Sequence, residues 1–206
     1  MESRLFNRMK IQPKKDKKEE TKENSVLGTL RDLVCLIAGV LLIFSLLFRV
    51  VVVSGPSMKD TLVDGDWLLL IGNVLYNEPK KGDIIVASKD SFDDGAPIIK
   101  RVIATEGDTV HIDFGKGIVY VNGVALEEDY IRTSTTRWEG VNFPLTVDEG
   151  CVFVMGDNRD VSKDSRSPEI GLIDKREILG RAVFLLMPGT EGGTRERDFD
   201  RFGVLS

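Results

Sequence analysis

The chain has 206 residues, with 28 Lys or Arg against 33 Asp or Glu, two cysteines and a single histidine. That length holds one domain plus an appendage. Residues 1–32 carry nine basic and six acidic side chains, whereas residues 50–206 carry 18 against 27, a net −9. An acidic folded part argues against nucleic acid as a partner, which needs a basic footprint. The lone His111 excludes a multi-histidine metal site. Cys35 lies in an apolar run and Cys151 far from it, so neither a disulfide framework nor zinc spacing exists, and no metal or cofactor is expected.

Residues 1–25 are rich in Lys and Glu and poor in apolar residues. Such a composition buries too little surface to offset chain entropy, so a disordered tail on the cytoplasmic side is expected. Leu33 to Phe48 then runs 16 residues without a charge. Arg49 can snorkel, and Val50–Val53 extend the apolar stretch, so a transmembrane anchor is expected over residues 26–53. A cleavable secretory signal is the rival, but its apolar core is shorter and rarely follows some thirty polar residues. The basic tail predicts a cytoplasmic N-terminus and an extracytoplasmic remainder.

Beyond the anchor the pattern changes to strands, which makes the fold class mainly β over residues 54–190. Trp67–Ile71, Asp83–Ala87 and Ile98–Thr105 are short apolar runs flanked by turn residues. His111–Phe114 and Ile118–Val121 read as a hairpin, and Asn122-Gly123 is a type I′ turn signal into Val124–Leu126. Residues 127–148 are polar and aperiodic, and read as a surface excursion. Cys151–Met155 and Arg181–Met187 supply two more buried strands, with one helical turn expected over Asp174–Leu179. The charged, Gly-containing residues 191–206 read as a mobile tail.

Three stretches could carry chemistry. Ser54-Gly55-Pro56-Ser57-Met58 stands where the apolar run ends; alone it fits an ordinary turn as well as a nucleophile site. In Ile99-Lys100-Arg101-Val102, two consecutive cations on an apolar strand must point to opposite faces, so one faces inward unless the strand is at an edge. A lysine held inside sheds its proton and becomes a base. A snorkelling, solvated Lys100 is the alternative. Gly156-Asp157-Asn158-Arg159-Asp160-Val161-Ser162-Lys163-Asp164-Ser165-Arg166 lacks the spacing of a calcium loop and reads either as a solvated loop or as a hydrogen-bonded support for a site. His111 alternates with Val110 and Ile112 and is expected to face solvent, so a base other than histidine is expected for Ser57.

The three stretches, in this order behind an N-terminal anchor, resemble bacterial type I signal peptidase, a membrane-bound Ser/Lys protease family. The resemblance runs from the anchor through Pro188. It implies a β-rich signal-peptidase-like domain after a single transmembrane helix. It also implies a serine endopeptidase at the cell membrane that removes signal peptides from secretory preproteins, cleaving after small residues of the Ala-x-Ala type. By resemblance Ser57 is the nucleophile, Lys100 the general base, and Ser162 the hydroxyl that positions the lysine. Asp157 with Arg101, and Asp164 with Arg166, match supporting ion pairs. The preprotein and the lipid bilayer are the implied partners, and the translocation machinery stays open as a third. The family pattern is departed from at Asp60, Val161 and Ala104-Thr105-Glu106. Gly55 stands where some members carry a serine donor to the oxyanion, and Pro56 has no N–H. The Ser57 amide, with Ser54 as a second candidate, is left to fill that role. A self-cleaving Ser/Lys regulator and an inactive anchored binding domain remain as rival readings.

Overall fold

The computed structural model describes residues 17–190 and 197–205, and side chains from Val26 onward except at residue 206 and 191–196. Of the disordered tail expected over residues 1–25, residues 1–16 lie outside the described residues, and residues 17–25 are instead the opening of a helix. Two units are separable, one ending at Phe44 and one beginning at Ser45. The first holds the helix α1 (Lys17–Leu47) as far as Phe44. Within it, Val26–Leu47 is a 22-residue stretch of mean hydropathy 2.3, long and apolar enough to cross a bilayer.

The second unit is built on two antiparallel sheets. Its strands are β1 (Phe48–Val52), β2 (Trp67–Gly72), β3 (Ile84–Ser88), β4 (Pro97–Thr105), β5 (Thr109–Asp113), β6 (Ile118–Val121), β7 (Val124–Ala125), β8 (Leu145–Thr146), β9 (Cys151–Met155), β10 (Ile173–Asp174), β11 (Ile178–Met187) and β12 (Gly203–Val204). The large sheet has the order β1-β2-β11-β3-β4-β9-β10, with β12 added on β11; the small one has the order β7-β6-β5-β8.

Two expectations are corrected here. The apolar residues after Arg49 do not prolong the helix. Phe48–Val52 pair with Trp67–Ile71 in a continuous five-residue register, and Val53 is buried in the core. A valine-rich run suits a strand as well as a membrane, because β-branched side chains pack well on a pleated surface. The C-terminal residues are not all free either. Gly203 and Val204 pair with Leu185 and Phe184. Arg201 donates to both carboxylate oxygens of buried Asp66 and to the Thr61 carbonyl.

The expected strands over residues 67–126, 151–155 and 181–187 are present, whereas β8, inside the stretch read as a surface excursion, and β10 were not expected. Asn122 and Gly123 have φ of 52° and 78°, the paired left-handed conformation of a type I′ turn, between β6 and β7. The expected helical turn is the 3-10 turn Lys175–Glu177, capped by the Asp174 side chain.

Alternate residues of β3 enter different cores. Ile84 and Val86 join Val53, Met58, Leu62, Leu68 and Leu70 on one side, while Ile85 and Ala87 join Val102, Val154 and Ile178 on the other. A third cluster packs Ile103, Phe153 and Met155 of the large sheet against Val110, Ile112 and Val119 of the small one. Each such fully buried aliphatic side chain contributes about 1.5–3 kcal/mol. Both faces of the middle of the large sheet are therefore covered, and β4 lies in that middle.

Candidate active site

The position of β4 decides the fate of its two cations. It runs between β3 and β9, and Lys100 and Arg101 pair with Ile85 and Ile84. Neither cation faces solvent: they are 5% and 3% exposed. The expectation of one buried and one solvated cation understated the case, because both faces of the strand are covered.

Ser57 follows the buried end of the β1 segment. The turn holding it is closed by backbone bonds from Lys59 to Pro56 and from Leu62 to Met58. Met58 and Leu62 anchor that turn in the core. Lys100 Nζ lies 2.9 Å from Ser57 Oγ and also donates to the Ile99 carbonyl at 3.0 Å. Burial drives the lysine down from 10.5 to about 8, opposed by the nearby Asp164 and Asp157 carboxylates. At pH 7.4 roughly one Lys100 in five is then neutral, against about one in a thousand for a free lysine.

The 156–166 loop is a buried scaffold. Asp157 takes two charge-assisted bonds from Arg101, at 3.0 and 2.8 Å, and one from the Thr61 hydroxyl. Arg101 also lies 4.1 Å from the Tyr130 ring centroid. Asp164 is bonded by Arg166 at 2.8 and 2.9 Å and by the Gly156 amide at 3.0 Å. Arg166 reaches on to the Arg159 and Ser162 carbonyls, which fixes the loop's curvature. Asn158 ties the loop to the nucleophile turn, its amide donating to the Ser57 carbonyl and its side chain to that of Pro56. Gly156 is needed for this approach: a Cβ there would stand 2.2 Å from Ser162 Oγ and 2.5 Å from the Ser57 carbonyl oxygen.

Ser162 is fully buried beside the dyad, yet its hydroxyl makes no hydrogen bond. The expected bond to Lys100 is absent; the lysine donates to Ser57 and Ile99 instead. The Gly55 amide is spent on Asp64, so it is no oxyanion donor, whereas the Ser57 amide has no partner among the described residues. Ser54, Ser57 and Lys100 line one cavity of about 280 Å³, walled by apolar residues such as Val53 and Ile98. His111 is exposed on the small sheet, stacked near Tyr120.

The segment read as a surface excursion supplies unforeseen partners. Glu128 holds Arg159 through both carboxylate oxygens, and the Thr135 hydroxyl accepts from the same guanidinium at 2.6 Å. Glu139, its side chain 5% exposed, lies 3.7 Å from Arg166, and burial pushes its carboxyl up. One signal pointed that way. Arg159 sits in the loop without an assigned acid, and a buried guanidinium requires one.

Residues 26–187 match the model of the family described as signal peptidase, peptidase S26. Signal peptidase I of Bacillus licheniformis is 35% identical over 184 residues, covering 85% of this chain and 96% of that protein. Signal peptidase I S of Bacillus subtilis is 32% identical over 180 residues, covering 83% and 94%. A crystal structure of a signal peptidase I from Enterococcus faecalis is similar at 33% identity with a TM-score of 0.42, covering 50% of this chain and 96% of that one. A serine beside a buried lysine, matched over this much sequence, identifies the chain as a member of the signal peptidase I (peptidase S26) family, the serine peptidases that remove signal peptides.

Proposed function

We propose that Ser57 and Lys100 form the catalytic dyad of this signal peptidase. The 2.9 Å contact between Nζ and Oγ at a lysine only 5% exposed carries the reading. In the neutral form, Nζ offers a lone pair to the Ser57 hydroxyl. As Oγ attacks the scissile carbonyl, its proton passes to Nζ. The Ser57 amide, without a partner among the described residues, stabilises the oxyanion, and Ser54 on the cavity wall is the second donor candidate. The Lys100 ammonium then protonates the leaving amine, which departs as the new N-terminus of the mature protein. Water, deprotonated by the same lysine, releases the signal peptide from the acyl-enzyme.

Asp157, Arg101, Asp164 and Arg166 act through position, holding the loop against the nucleophile turn, and Ser162 is the buried loop hydroxyl assigned to position the lysine. The cavity beside Ser57, with Val53, Val86 and Ile98 among its walls, supports cleavage after small residues of the Ala-x-Ala type. The apolar helix and the basic N-terminal residues support one retained span, with the N-terminus cytoplasmic and the catalytic unit outside. Ser57→Ala and Lys100→Ala should each abolish cleavage of an Ala-x-Ala preprotein, and His111→Ala should not. Loss of cleavage in a folded His111→Ala protein would sink the dyad assignment.

A further inference from the structure

Two charged residues line the cavity beside Ser57, the buried Lys100 and the exposed Asp93; the other lining residues are apolar or small. Asp93 lies on the loop between β3 and β4, and that loop is tied down. Ser88 Oγ donates to the Gly95 carbonyl at 2.6 Å, and Phe92 packs on the core beside Ile98. The loop's one cation, Lys89, is turned to the Leu172 carbonyl at 2.6 Å and to Glu177 at 3.6 Å. Asp90, Asp93 and Asp94 are exposed and have no cationic partner among the described residues. The rim of the cavity thus carries an exposed carboxylate with no ion-pair partner among the described residues, while the one cation of the wall, Lys100, is buried against Ser57 and the Ile99 carbonyl. Charges within a Debye length of about 8–10 Å feel such a carboxylate, and low-dielectric walls concentrate its field.

We propose that Asp93 is a specificity-determining residue that favours preproteins with a lysine or arginine in the segment lying in this groove and disfavours those with an acidic residue there. The inference rests on the peptidase reading above. It names a charge class of substrate in addition to the small residues at the cut.

The test uses the full chain in a non-ionic detergent. Fluorogenic Ala-x-Ala peptides carry Lys, Glu or Ala at each position in turn on both sides of the scissile bond. At one or two adjacent positions kcat/KM should favour Lys over Glu by about two- to fivefold at low salt, the scale of one exposed charge pair. That ratio should shrink towards one in 1 M salt. It should also fall to near one in Asp93→Asn and in Asp93→Gly. Both replacements tolerate the left-handed backbone, φ 48°, on which Asp93 sits. A ratio that collapses in Asp94→Asn but survives in Asp93→Asn would overturn the assignment. So would an equal fall for every peptide in the Asp93 variants, which would make the residue a turn former only. Cleavage of the uncharged peptide by wild type, with no Lys/Glu difference at any position, would overturn this inference and leave the peptidase reading standing. Cleavage of no peptide would overturn both.

Discussion

Lys100 is a base because of where its strand lies. Burial pulls it down, the Asp164 and Asp157 carboxylates push back, and the balance leaves it at about 8. The kcat/KM profile should therefore rise along one limb centred near pH 8. The same group shapes stability. Its folded value lies below the ordinary 10.5, so between about 8 and 10.5 the unfolded chain binds the extra proton. Stability from this group rises with pH across that window, by about 1.4 kcal/mol per pH unit, and its full cost is present below pH 8. Lys100→Met should be inactive and more stable than wild type below pH 8, with the gap closing by about pH 10.5. Urea unfolding of both proteins across this range measures it, and equal destabilisation of the variant at every pH would contradict a lysine held neutral. Ser162 offers a second separation of activity from stability. Its buried hydroxyl lacks a partner, and removing an unsatisfied buried polar group costs little or stabilises, by about 1 kcal/mol. Ser162→Ala should thus hold or gain stability while kcat falls by about ten- to a thousandfold, the range seen on losing one hydrogen bond within a site. An unchanged kcat would leave Ser162 a packing residue.

Among the elements, β1 has the clearest experimental consequence. Its five residues close the edge of the large sheet over β2, and Val51 packs on the same core as Met58 of the nucleophile turn. A soluble catalytic piece beginning at Phe48 should keep its activity on short peptides, whereas one beginning at Ser54 should unfold at lower urea and cleave more slowly. Equal midpoints for the two would show that β1 adds nothing to the domain. This strand was hidden in the sequence for a physical reason. Membrane helices and β-branched strands draw on the same apolar residues, and a run crossing from one to the other carries no break. The strands β2, β3, β4, β5, β6 and β9 were legible because turn residues bound them. The two-residue strands β8 and β10 are too short to have a period. In the site, the stretches around Ser57, Lys100 and Asp157–Arg166 were legible as three separate places, and the fold brings them together. Glu128 and Glu139 were not, since a buried carboxylate paired with arginine has the same composition as a solvated one.

At the scale of the whole molecule, the site rests on an internal balance of charge. Arg101, Arg159 and Arg166 are met by Asp157, Glu128, Asp164 and Glu139, all within the protein. Breaking such a pair by removing one partner costs about 3–5 kcal/mol, because it leaves the other charge buried alone. The arrangement joins distant parts of the chain: the nucleophile turn, the middle strand of the sheet, the 127–140 segment and the 156–166 loop.

The strand order adds a matter of timing. β11 separates β2 from β3, so two strands made early become part of one sheet only through a strand made late. Arg201, later still, supplies the guanidinium that meets buried Asp66. A ribosome that has not yet released residues 178–201 holds a chain whose large sheet lacks its third strand. A chain in that state should be silent, unable to cut at its own emerging apolar segment or at neighbouring nascent chains. Ribosome-bound chains arrested with residue 170 exposed should cleave no peptide, and chains with all 206 residues exposed should cleave at the full rate. Activity in the shorter chains would show that the early strands assemble a working site without waiting for the last part of the message.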